Sequence, residues 1–310
     1  MDSLLPSSET DSFPLVTIAV ITRNREESLK RTLASFSELD YPNFEVIVVD
    51  NASTDNTKSI IKQYGHQYIF SPKEFGFAKT RQLAVVAAKG KIICWCDDDC
   101  VPKENWIIAY LKLFESTEAV VLGGKIVNVG FSESLKFKGK SVLKKNACLE
   151  FIDDPNIATF HSNLNLAFRK DFITAIGGYD SFFKGGMEEI DLQLNVIKNG
   201  GRVFYCSDAE VTHYHSTVSF KKGRLVYSGT LMRLAMYFKY NKMLKNPGFV
   251  KIELFSFLRE IYRNSRLIVS GLVKLNHRKS QIGLIELFNS FLSRILIPFL
   301  YIKYKNEEKS

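Results

Sequence analysis

Three continuous apolar runs, separated by polar loops and helical patterns, constrain the fold of this chain most. They occupy residues 15–21, 44–49 and 91–96. Runs of this length without polar alternation are typical of parallel strands that are buried on both faces. The order of strand, helix, strand and helix predicts a parallel sheet whose ligands bind at the carboxyl ends of the strands.

A triplet of aspartates, Asp97, Asp98 and Asp99, closes the third apolar run. Carboxylates at the end of a buried strand repel one another and are poorly solvated, so a positive group is expected beside them. In an extended segment Asp97 and Asp99 would point to one side and Asp98 to the other. Two carboxylates on one side suit Mg²⁺ or Mn²⁺, the cations that accompany phosphates. A solvated acidic turn before a helix is the alternative.

Polar side chains also follow the first two runs, where a parallel sheet binds its ligands. Thr22 and Arg23 follow the first run, and Asp50 and Ser53 follow the second. A dinucleotide-binding domain carries Gly-x-Gly-x-x-Gly in the first loop, whereas this chain reads Ile-Thr-Arg-Asn-Arg. Phosphate is therefore expected to be held by something other than a glycine backbone.

Two helix starts are predicted near these loops. Asn24, with Glu27 three residues later, predicts a capping box after the first run. Gly76 precedes a second helix, and Lys79 and Arg81 near its N-terminus could meet an anion. Single charges at such positions are more often surface groups.

Charge is distributed unevenly over the 310 residues, whose formal net charge is +9. Residues 221–310 hold 18 basic and 5 acidic side chains, against 24 and 28 in residues 1–220. This asymmetry predicts a boundary near residue 219 and an anionic partner for the basic part. Its interleaved apolar and basic residues fit helices that lie on an anionic membrane, or a helical cap with a solvated basic face.

The compartment is predicted from cysteines and from the N-terminus. Five cysteines without Cys-x-x-Cys spacing indicate a reduced, cytoplasmic protein. The polar, acidic first residues do not resemble a signal peptide, and no spanning helix is expected. Placement is therefore predicted to be cytoplasmic, with peripheral attachment to the membrane as a hypothesis.

Five short motifs occur in one order along residues 46–192. They are Val-Ile-Val-Val-Asp-Asn-Ala-Ser-Thr-Asp at 46–55, Gly-Phe-Ala-Lys-Thr-Arg at 76–81, the aspartates at 97–99, Gly-Gly-Tyr-Asp at 177–180 and Glu-Glu-Ile-Asp-Leu at 188–192. Together they resemble family 2 glycosyltransferases of GT-A fold, such as bacterial enzymes of cell-surface polysaccharide synthesis, over about residues 14–220.

The resemblance implies an α/β fold with a Rossmann-like, mostly parallel sheet, helices on both faces and a C-terminal helical extension. It divides the chain into a polar tail (1–13), a catalytic domain (14–220) and a basic amphipathic helical region (221–310). The catalytic domain would comprise a nucleotide-sugar half (14–125) and an acceptor half (126–220).

The resemblance also implies an activity. A nucleoside-diphosphate sugar, with a UDP-sugar favoured, would give one sugar to a glycan or lipid-linked acceptor, with Mn²⁺ or Mg²⁺ and inversion at the anomeric carbon. Developing charge on the diphosphate needs a counter-charge, and proton removal from the acceptor needs a carboxylate base. No Gln-x-x-Arg-Trp segment is present, so one sugar per encounter is expected rather than processive synthesis.

Site residues follow from these motifs. Glu189 matches the general base of the family, but it replaces an aspartate, so Glu188 and Asp191 stay as alternatives. Asp99 is expected to bind the metal, followed by His213, Asp97 and His215. Nucleotide-sugar contacts are expected from the polar residues of the loops, which are Thr22, Arg23, Asp50, Ser53, Lys79, Arg81, Asp97 and Asp98.

Two other functions compete with transfer. A sugar-phosphate nucleotidyltransferase shares the nucleotide-binding half. It would require a glycine-rich, basic loop after the first strand, where this chain has Ile-Thr-Arg-Asn-Arg. A noncatalytic nucleotide-sugar binding module is the second alternative, and it is based on the glutamate at position 189 where the family has an aspartate. Nucleic acid is not expected as a partner, since no recognised binding module accompanies the basic region.

Overall fold

A computed structural model describes residues 13–130, 140–143, 149–151, 160–184, 186–214, 229–240, 243, 249–273 and 277–307. The chain divides into two compact units. Unit 1 comprises Met1–Val142 with Phe151–Phe220, and unit 2 comprises Leu143–Glu150 with Lys221–Ser310. The division of catalytic and basic regions at residue 220 stays a prediction about function.

The strands and helices have the following bounds. The strands are β1 (Val16–Thr22), β2 (Phe44–Asn51), β3 (Gln67–Ser71), β4 (Ile92–Cys96), β5 (Cys100–Pro102), β6 (Ala119–Val129), β7 (Lys140–Leu143), β8 (Leu149–Phe151), β9 (Phe160–His161), β10 (Asn165–Arg169) and β11 (Arg202–Tyr214). The helices are α1 (Glu26–Ser35), α2 (Thr57–Gln63), α3 (Phe77–Ala87), α4 (Trp106–Ser116), α5 (Lys170–Ala175), α6 (Glu188–Lys198), α7 (Gly229–Lys239), α8 (Phe249–Val273), α9 (His277–Ile295) and α10 (Ile297–Glu307). A 3-10 turn at Phe36–Glu38 follows α1.

Unit 1 is built on an eight-stranded sheet of order β3-β2-β1-β4-β10-β6-β11-β5. The strands β1 to β4 run parallel, as predicted, and Thr22 lies opposite Asp50 where β1 and β2 end. β10 and β5 run antiparallel to their neighbours. The loops after β1, β2 and β4 therefore meet at one edge of the sheet.

Burial on both faces explains the continuous apolar runs. Along β1, Ile18 and Val20 pack into one core cluster, which includes Trp106 of α4. Ala19 packs into the other cluster, which includes Trp95 of β4 and Phe168 of β10. Because both faces of the strand are buried, both sets of alternate side chains are mostly apolar, and the buried Thr17 is satisfied by a hydrogen bond to Glu45 at 2.7 Å.

One asparagine holds the centre of the sheet to α4. The buried Asn165 pairs with Cys96 in the strand ladder, directly before the aspartate triplet. Its side-chain oxygen accepts hydrogen bonds from Trp106 Nε1 at 2.8 Å and from the Tyr110 hydroxyl at 2.6 Å. Its side-chain nitrogen donates to two backbone carbonyls, both at 2.8 Å. Every polar atom of this amide is thus satisfied within the core.

Replacing Asn165 with alanine is expected to destabilise the protein by about 3 kcal/mol, because buried donors and acceptors lose their partners at roughly 1–3 kcal/mol each. Urea unfolding of the two proteins measures the difference. Asn199→Ala, at an exposed helix end, is the control and should cost less than about 0.5 kcal/mol. Equal stability of Asn165→Ala and wild type would contradict the role of this amide.

Unit 2 contains α7, α8, α9 and α10. Buried ion pairs join three of these helices: Arg233 of α7 pairs with Glu253 of α8, and Arg294 of α9 lies 2.6 Å from Glu253 and 3.0 Å from Glu260. In the described part of the chain, no helix combines the length and the apolarity that crossing a membrane requires.

Two predicted local features are wrong. Helix α1 begins at Glu26 and has no side-chain cap, because Asn24 adopts a left-handed backbone conformation and bonds to another loop. Residues 203–216 read in the sequence as two short strands. Within the described part of this segment, Arg202–Tyr214 form the single strand β11, with an irregularity between Cys206 and Glu210.

Candidate functional site

Three loops at the edge of the sheet contain the positive-φ residues other than glycine in the described ranges. They are Asn24 after β1 (φ 50°), Ala52 after β2 (φ 63°) and Met187 before α6 (φ 67°). Such a conformation costs a residue with a Cβ about 1 kcal/mol or more, and it persists where the surroundings demand it. The three strained positions flank the predicted site residues.

The first two loops are joined by hydrogen bonds. Asn24 Oδ1 accepts from the Thr54 backbone N–H at 2.7 Å, and the Asn24 N–H donates to Ser53 Oγ at 2.9 Å. Ser53 N–H in turn donates to Asp50 Oδ1 at 2.8 Å. The loop after β1 is therefore held against the loop after β2, which is itself bonded to Asp50 at the end of β2.

Asp50 lies in a buried polar pocket between β2 and β3. Its second carboxylate oxygen accepts a hydrogen bond from the Tyr68 hydroxyl at 3.0 Å, and only 1% of the residue is exposed. The ring of Phe70, half exposed on β3, stacks on that of Tyr68 with centroids 6.3 Å apart. Tyr68 was missed from sequence because its strand position suggests only packing.

The aspartate triplet forms a turn, so the alternation expected of an extended segment is wrong. The Cys100 N–H donates to the Asp97 carbonyl at 3.0 Å, which closes the turn between β4 and β5. As a result Asp98 and Asp99 share one cation, Arg25, at 2.5 Å and 2.8 Å. Asp97 contacts a different cation, Arg81, at 3.1 Å.

These contacts make the three carboxylates unequal. Burial raises the pKa of Asp98 to about 7, although Arg25 opposes the shift. Asp98 also accepts from the buried Thr22 hydroxyl at 2.7 Å. Burial would raise the pKa of Asp99 too, but hydrogen bonds from His213 and Arg25 hold it below its ordinary value. Asp99 is therefore the carboxylate of this pair that stays ionised at neutral pH.

His213 and Asp99 converge at the end of the turn. β11 pairs with β5, so His213 lies opposite Cys100, and its Nε2 is 3.6 Å from Asp99 Oδ2. The other ring nitrogen of His213 lies 3.1 Å from Asn128 Oδ1, which orients the ring. A carboxylate oxygen of the turn and an imidazole nitrogen of β11 thus lie next to each other.

The side chains of Asp99 and His213 have the chemistry to hold a divalent cation of the phosphate-binding type. Across the described ranges, no three histidine, cysteine, aspartate or glutamate side chains form a metal-binding group by themselves. Mg²⁺ and its analogues usually take one or two carboxylates and complete their shell with phosphate oxygens and water. A site with only Asp99 and His213 leaves coordination positions open for phosphate oxygens and water, whereas a site made wholly of protein ligands would not.

Arg81 connects the acidic turn to helix α6. The residue is 4% exposed. Its guanidinium lies over the Trp95 ring at 4.7 Å and contacts Asp97 at 3.1 Å and Glu188 at 3.5 Å. Burial alone would lower its pKa, but Asp97, Tyr179 and Glu188 raise it. A permanently charged side chain therefore bridges a carboxylate of the turn and a carboxylate of α6.

Helix α6 begins with three carboxylates that differ in exposure. Glu188 and Asp191 are buried at 4% and 1% exposure, whereas Glu189 is partly exposed. Burial raises the pKa of Glu188 to about 8, with Glu189 acting in the same direction, and burial also raises the pKa of Glu189. A carboxyl group whose pKa lies near neutral pH is suited to take up a proton during a reaction.

The raised pKa of Glu188 predicts how stability depends on pH. Below about pH 4 the carboxyl is protonated in both folded and unfolded chains, and its contribution to stability is fully present. As pH rises toward 8, ionisation favours the unfolded chain and that contribution is lost. We expect urea unfolding at pH 5 and pH 8 to show this fall, and Glu188→Gln to reduce it by on the order of 2 kcal/mol.

Glu104→Gln, at an exposed position, is the matched control for Glu188→Gln and should leave the pH dependence unchanged. The Asp98 carboxyl, whose pKa is also raised, contributes a fall of the same sign in every variant. An unchanged pH slope in Glu188→Gln would contradict the burial of an ionisable carboxyl here.

Two other predicted site residues make contacts with residues outside this cluster. Arg23 forms an ion pair with Glu74, and the exposed Lys79 lies over the Phe75 ring at 4.0 Å. His215 lies outside the described residues. The sequence does not single out Arg25 as a site residue, because nothing in it indicates how far this side chain reaches.

The described architecture is that of a known class. Solved structures with the same fold are GT-A glycosyltransferases: GalNAc-T7 with UDP, GalNAc and Mn²⁺ has a TM-score of 0.61 at 13% identity, over 72% of this chain and 47% of that chain. TarS residues 1–349 of S. aureus with UDP-GlcNAc has a TM-score of 0.56 at 19% identity, over 73% of this chain and 66% of that chain. At these identities the likeness concerns the fold alone.

The chain belongs to glycosyl transferase family 2, whose family model matches residues 17–177. Among curated relatives, glycosyltransferase AglE of Haloferax volcanii is 23% identical over 184 residues, 57% of this chain and 60% of that protein. The O-antigen chain rhamnosyltransferase WbaN of Salmonella anatum is 24% identical over 188 residues, 56% of this chain and 57% of that protein. The match thus spans about three fifths of the length of these relatives.

Proposed function

We propose that this chain is an inverting, metal-dependent glycosyltransferase that moves one sugar from a nucleoside-diphosphate sugar to an acceptor hydroxyl. The observation that carries the proposal is the bridge through Arg81, which contacts Asp97 of the acidic turn and Glu188 of α6. Donor-side and base-side carboxylates are thereby held in one cluster within unit 1. We assign catalysis to residues 14–220, divided into nucleotide-sugar and acceptor halves near residue 125.

The donor nucleotide would bind along the ends of β1, β2 and β4. Asp50, fixed by Ser53 and Tyr68, would accept a hydrogen bond from an N–H of the base. Asp97 would face the ribose, and Thr22 and Arg25 would keep Asp98 in place beneath the turn. Fold relatives were solved with UDP and with UDP-GlcNAc, which supports a UDP-sugar as the first donor to test.

A divalent cation, Mn²⁺ or Mg²⁺, would be held by Asp99 and His213 and by the diphosphate itself. When bound, it supplies positive charge to the departing nucleoside diphosphate. Arg25, shared by Asp98 and Asp99, and Arg81, beside Asp97, already balance part of the negative charge of the turn. Fold relatives were solved with Mn²⁺, which supports this choice of metal.

Glu189 would act as the general base. It is the partly exposed member of the α6 cluster, whereas Glu188 and Asp191 are buried. A base must reach the acceptor hydroxyl, and exposure at the helix start permits that approach. Removal of the hydroxyl proton lets the acceptor oxygen attack the anomeric carbon as the diphosphate leaves on the opposite side, which inverts the configuration.

The acceptor is proposed to be a glycan or a lipid-linked glycan. One relative is described as an O-antigen chain rhamnosyltransferase and another as a teichuronic acid biosynthesis glycosyltransferase, which supports a role in polysaccharide biosynthesis. A cytoplasmic location with peripheral attachment to the membrane through residues 221–310 would suit a lipid-linked acceptor.

The proposal is tested with a panel of UDP-, GDP-, dTDP- and CDP-sugars, each with and without Mn²⁺. Release of a nucleoside diphosphate from one donor, dependent on Mn²⁺, is expected. Release of pyrophosphate in a parallel assay with a nucleoside triphosphate and a sugar 1-phosphate would instead indicate a nucleotidyltransferase. Binding of a donor without any release, in the presence of a glycan acceptor mixture, would indicate a noncatalytic module.

A further inference from the structure

Helices α8 and α9 of unit 2 form an antiparallel pair. The Phe257 and Phe291 rings lie 5.0 Å apart, while Ser280 Oγ donates to the Ile268 carbonyl at 3.2 Å. Later residues of α8 therefore meet earlier residues of α9, which fixes the antiparallel direction. Glu260 and Arg294, 3.0 Å apart, lie between the helices.

The solvent face of α8 carries two parallel rows of side chains. The apolar row consists of residues more than half exposed: Leu254, Leu258, Tyr262, Val269 and Leu272. Arg259, Arg263 and Arg266 form a second exposed row beside it. At about 100° per residue, the members of each row lie close together around the helix axis. Around α8, the residues that contact α9 come first, the apolar row comes next, and the arginine row follows it.

Helix α9 carries a matching apolar row. Leu284, Phe288, Phe291 and Ile295 are 55%, 56%, 46% and 71% exposed, at spacings of four, three and four residues. On both helices the apolar row is rotated by roughly 90° around the helix axis from the residues that contact the other helix. The rotation follows the winding of the chain from N- to C-terminus in both cases. Because the helices are antiparallel, the two apolar rows therefore lie on the same side of the pair.

The acidic side chains of the pair lie away from this face. Glu253 and Glu260 form ion pairs with Arg233 and Arg294 in the interior of the unit. Glu286 is exposed, but it lies about 200° around α9 from Leu284. Within the described part of the chain, no ion pair joins a carboxylate to the arginine row. Arg266 instead lies 5.7 Å over the Tyr262 ring.

We propose that this face, formed by the apolar rows of α8 and α9 with the arginine row at its edge, docks on the surface of an anionic lipid bilayer. The apolar rows would enter the level where headgroups meet acyl chains, and the arginines would reach the phosphates beside them. Charge complementarity distinguishes this partner, because a purely apolar protein contact would leave three arginines to be desolvated without counter-charges. The inference rests on unit 2 alone and does not depend on the proposed chemistry.

Flotation of the full chain with vesicles tests the docking surface. One set contains phosphatidylcholine, and the other contains about 30% phosphatidylglycerol in addition. Wild type is expected to float with anionic vesicles and much less with neutral ones. Arg259→Gln with Arg263→Gln should lower the partition coefficient on anionic vesicles about 25-fold, since each basic residue contributes about fivefold. Leu258→Ser with Phe288→Ser should lower it more than tenfold.

Matched controls come from unit 1, where Val86 is 74% exposed and the Arg202 side chain is 63% exposed. Val86→Ser and Arg202→Gln should float as wild type does. Thermal unfolding and donor binding of each variant separate a folding failure from a docking failure. The proposal would be overturned if the fraction of protein that floats were the same with neutral and anionic vesicles, or were unchanged by the α8 and α9 substitutions. So would sedimentation as a dimer that these substitutions dissociate, which would assign the face to a second copy of the chain.

Discussion

Asp99→Asn is expected to lower nucleoside-diphosphate release by about 10³-fold, the loss seen when one group that balances transition-state charge is removed. The carboxylate is 5% exposed, lies 2.8 Å from Arg25 and 3.6 Å from His213, and has a lowered pKa. An amide keeps the shape of the side chain but removes the negative charge that attracts a cation. The apparent affinity for Mn²⁺ should therefore fall together with the rate.

The loss in Asp99→Asn must be separated from a loss of folding. Asp171→Asn, at an exposed position in the first turn of α5, is the control and should keep full turnover. Thermal unfolding without ligand checks that Asp99→Asn folds. Full turnover in a folded Asp99→Asn protein, with unchanged Mn²⁺ dependence, would remove Asp99 from the proposed metal site.

Glu189→Gln is expected to retain donor binding and lose turnover by about 10³-fold, within the range that general bases contribute. The side chain is partly exposed at the start of α6, and burial raises its pKa. Glutamine has nearly the same size but cannot accept the hydroxyl proton. Donor binding is measured by calorimetry with the intact nucleotide sugar, and turnover by release of the diphosphate.

The same two measurements on Glu188→Gln and Asp191→Asn decide which carboxylate is the base. Only substitution of the base should reduce turnover while donor affinity stays within about twofold. Glu188 contacts Arg81, so its variant is expected to disturb donor binding as well. Turnover retained in Glu189→Gln and lost in Asp191→Asn, with binding intact, would move the base to Asp191.

The sheet was predictable because its signal is local. Continuous apolar runs require burial on both faces, and β1, β2 and β4 have it. The antiparallel insertion of β10 between β4 and β6 was not predictable, because strand pairing is decided by contacts between distant residues. The capping box at Asn24 failed for a similar reason. Its side chain bonds to Thr54, which is thirty residues away.

The sequence predicts which types of residue form the site, but it predicts less of how their side chains are arranged. The need for a positive group beside the aspartates followed from electrostatics, and Arg25 and Arg81 fill it. That Asp98 and Asp99 share a cation depends on a turn closed by a single backbone hydrogen bond, which the alternation of a strand does not reveal. Tyr68 reaches Asp50 only because β2 and β3 are neighbours.

Thermal unfolding of the full chain with UDP, GDP, dTDP or CDP, each with and without Mn²⁺, tests most directly whether the acidic turn and its histidine hold a metal-bound diphosphate. One nucleotide with Mn²⁺ is expected to raise Tm. At a concentration about a hundred times its Kd, it adds roughly 2.7 kcal/mol of stability. Stabilisation that is equal without Mn²⁺, or absent for all four nucleotides, would contradict the account.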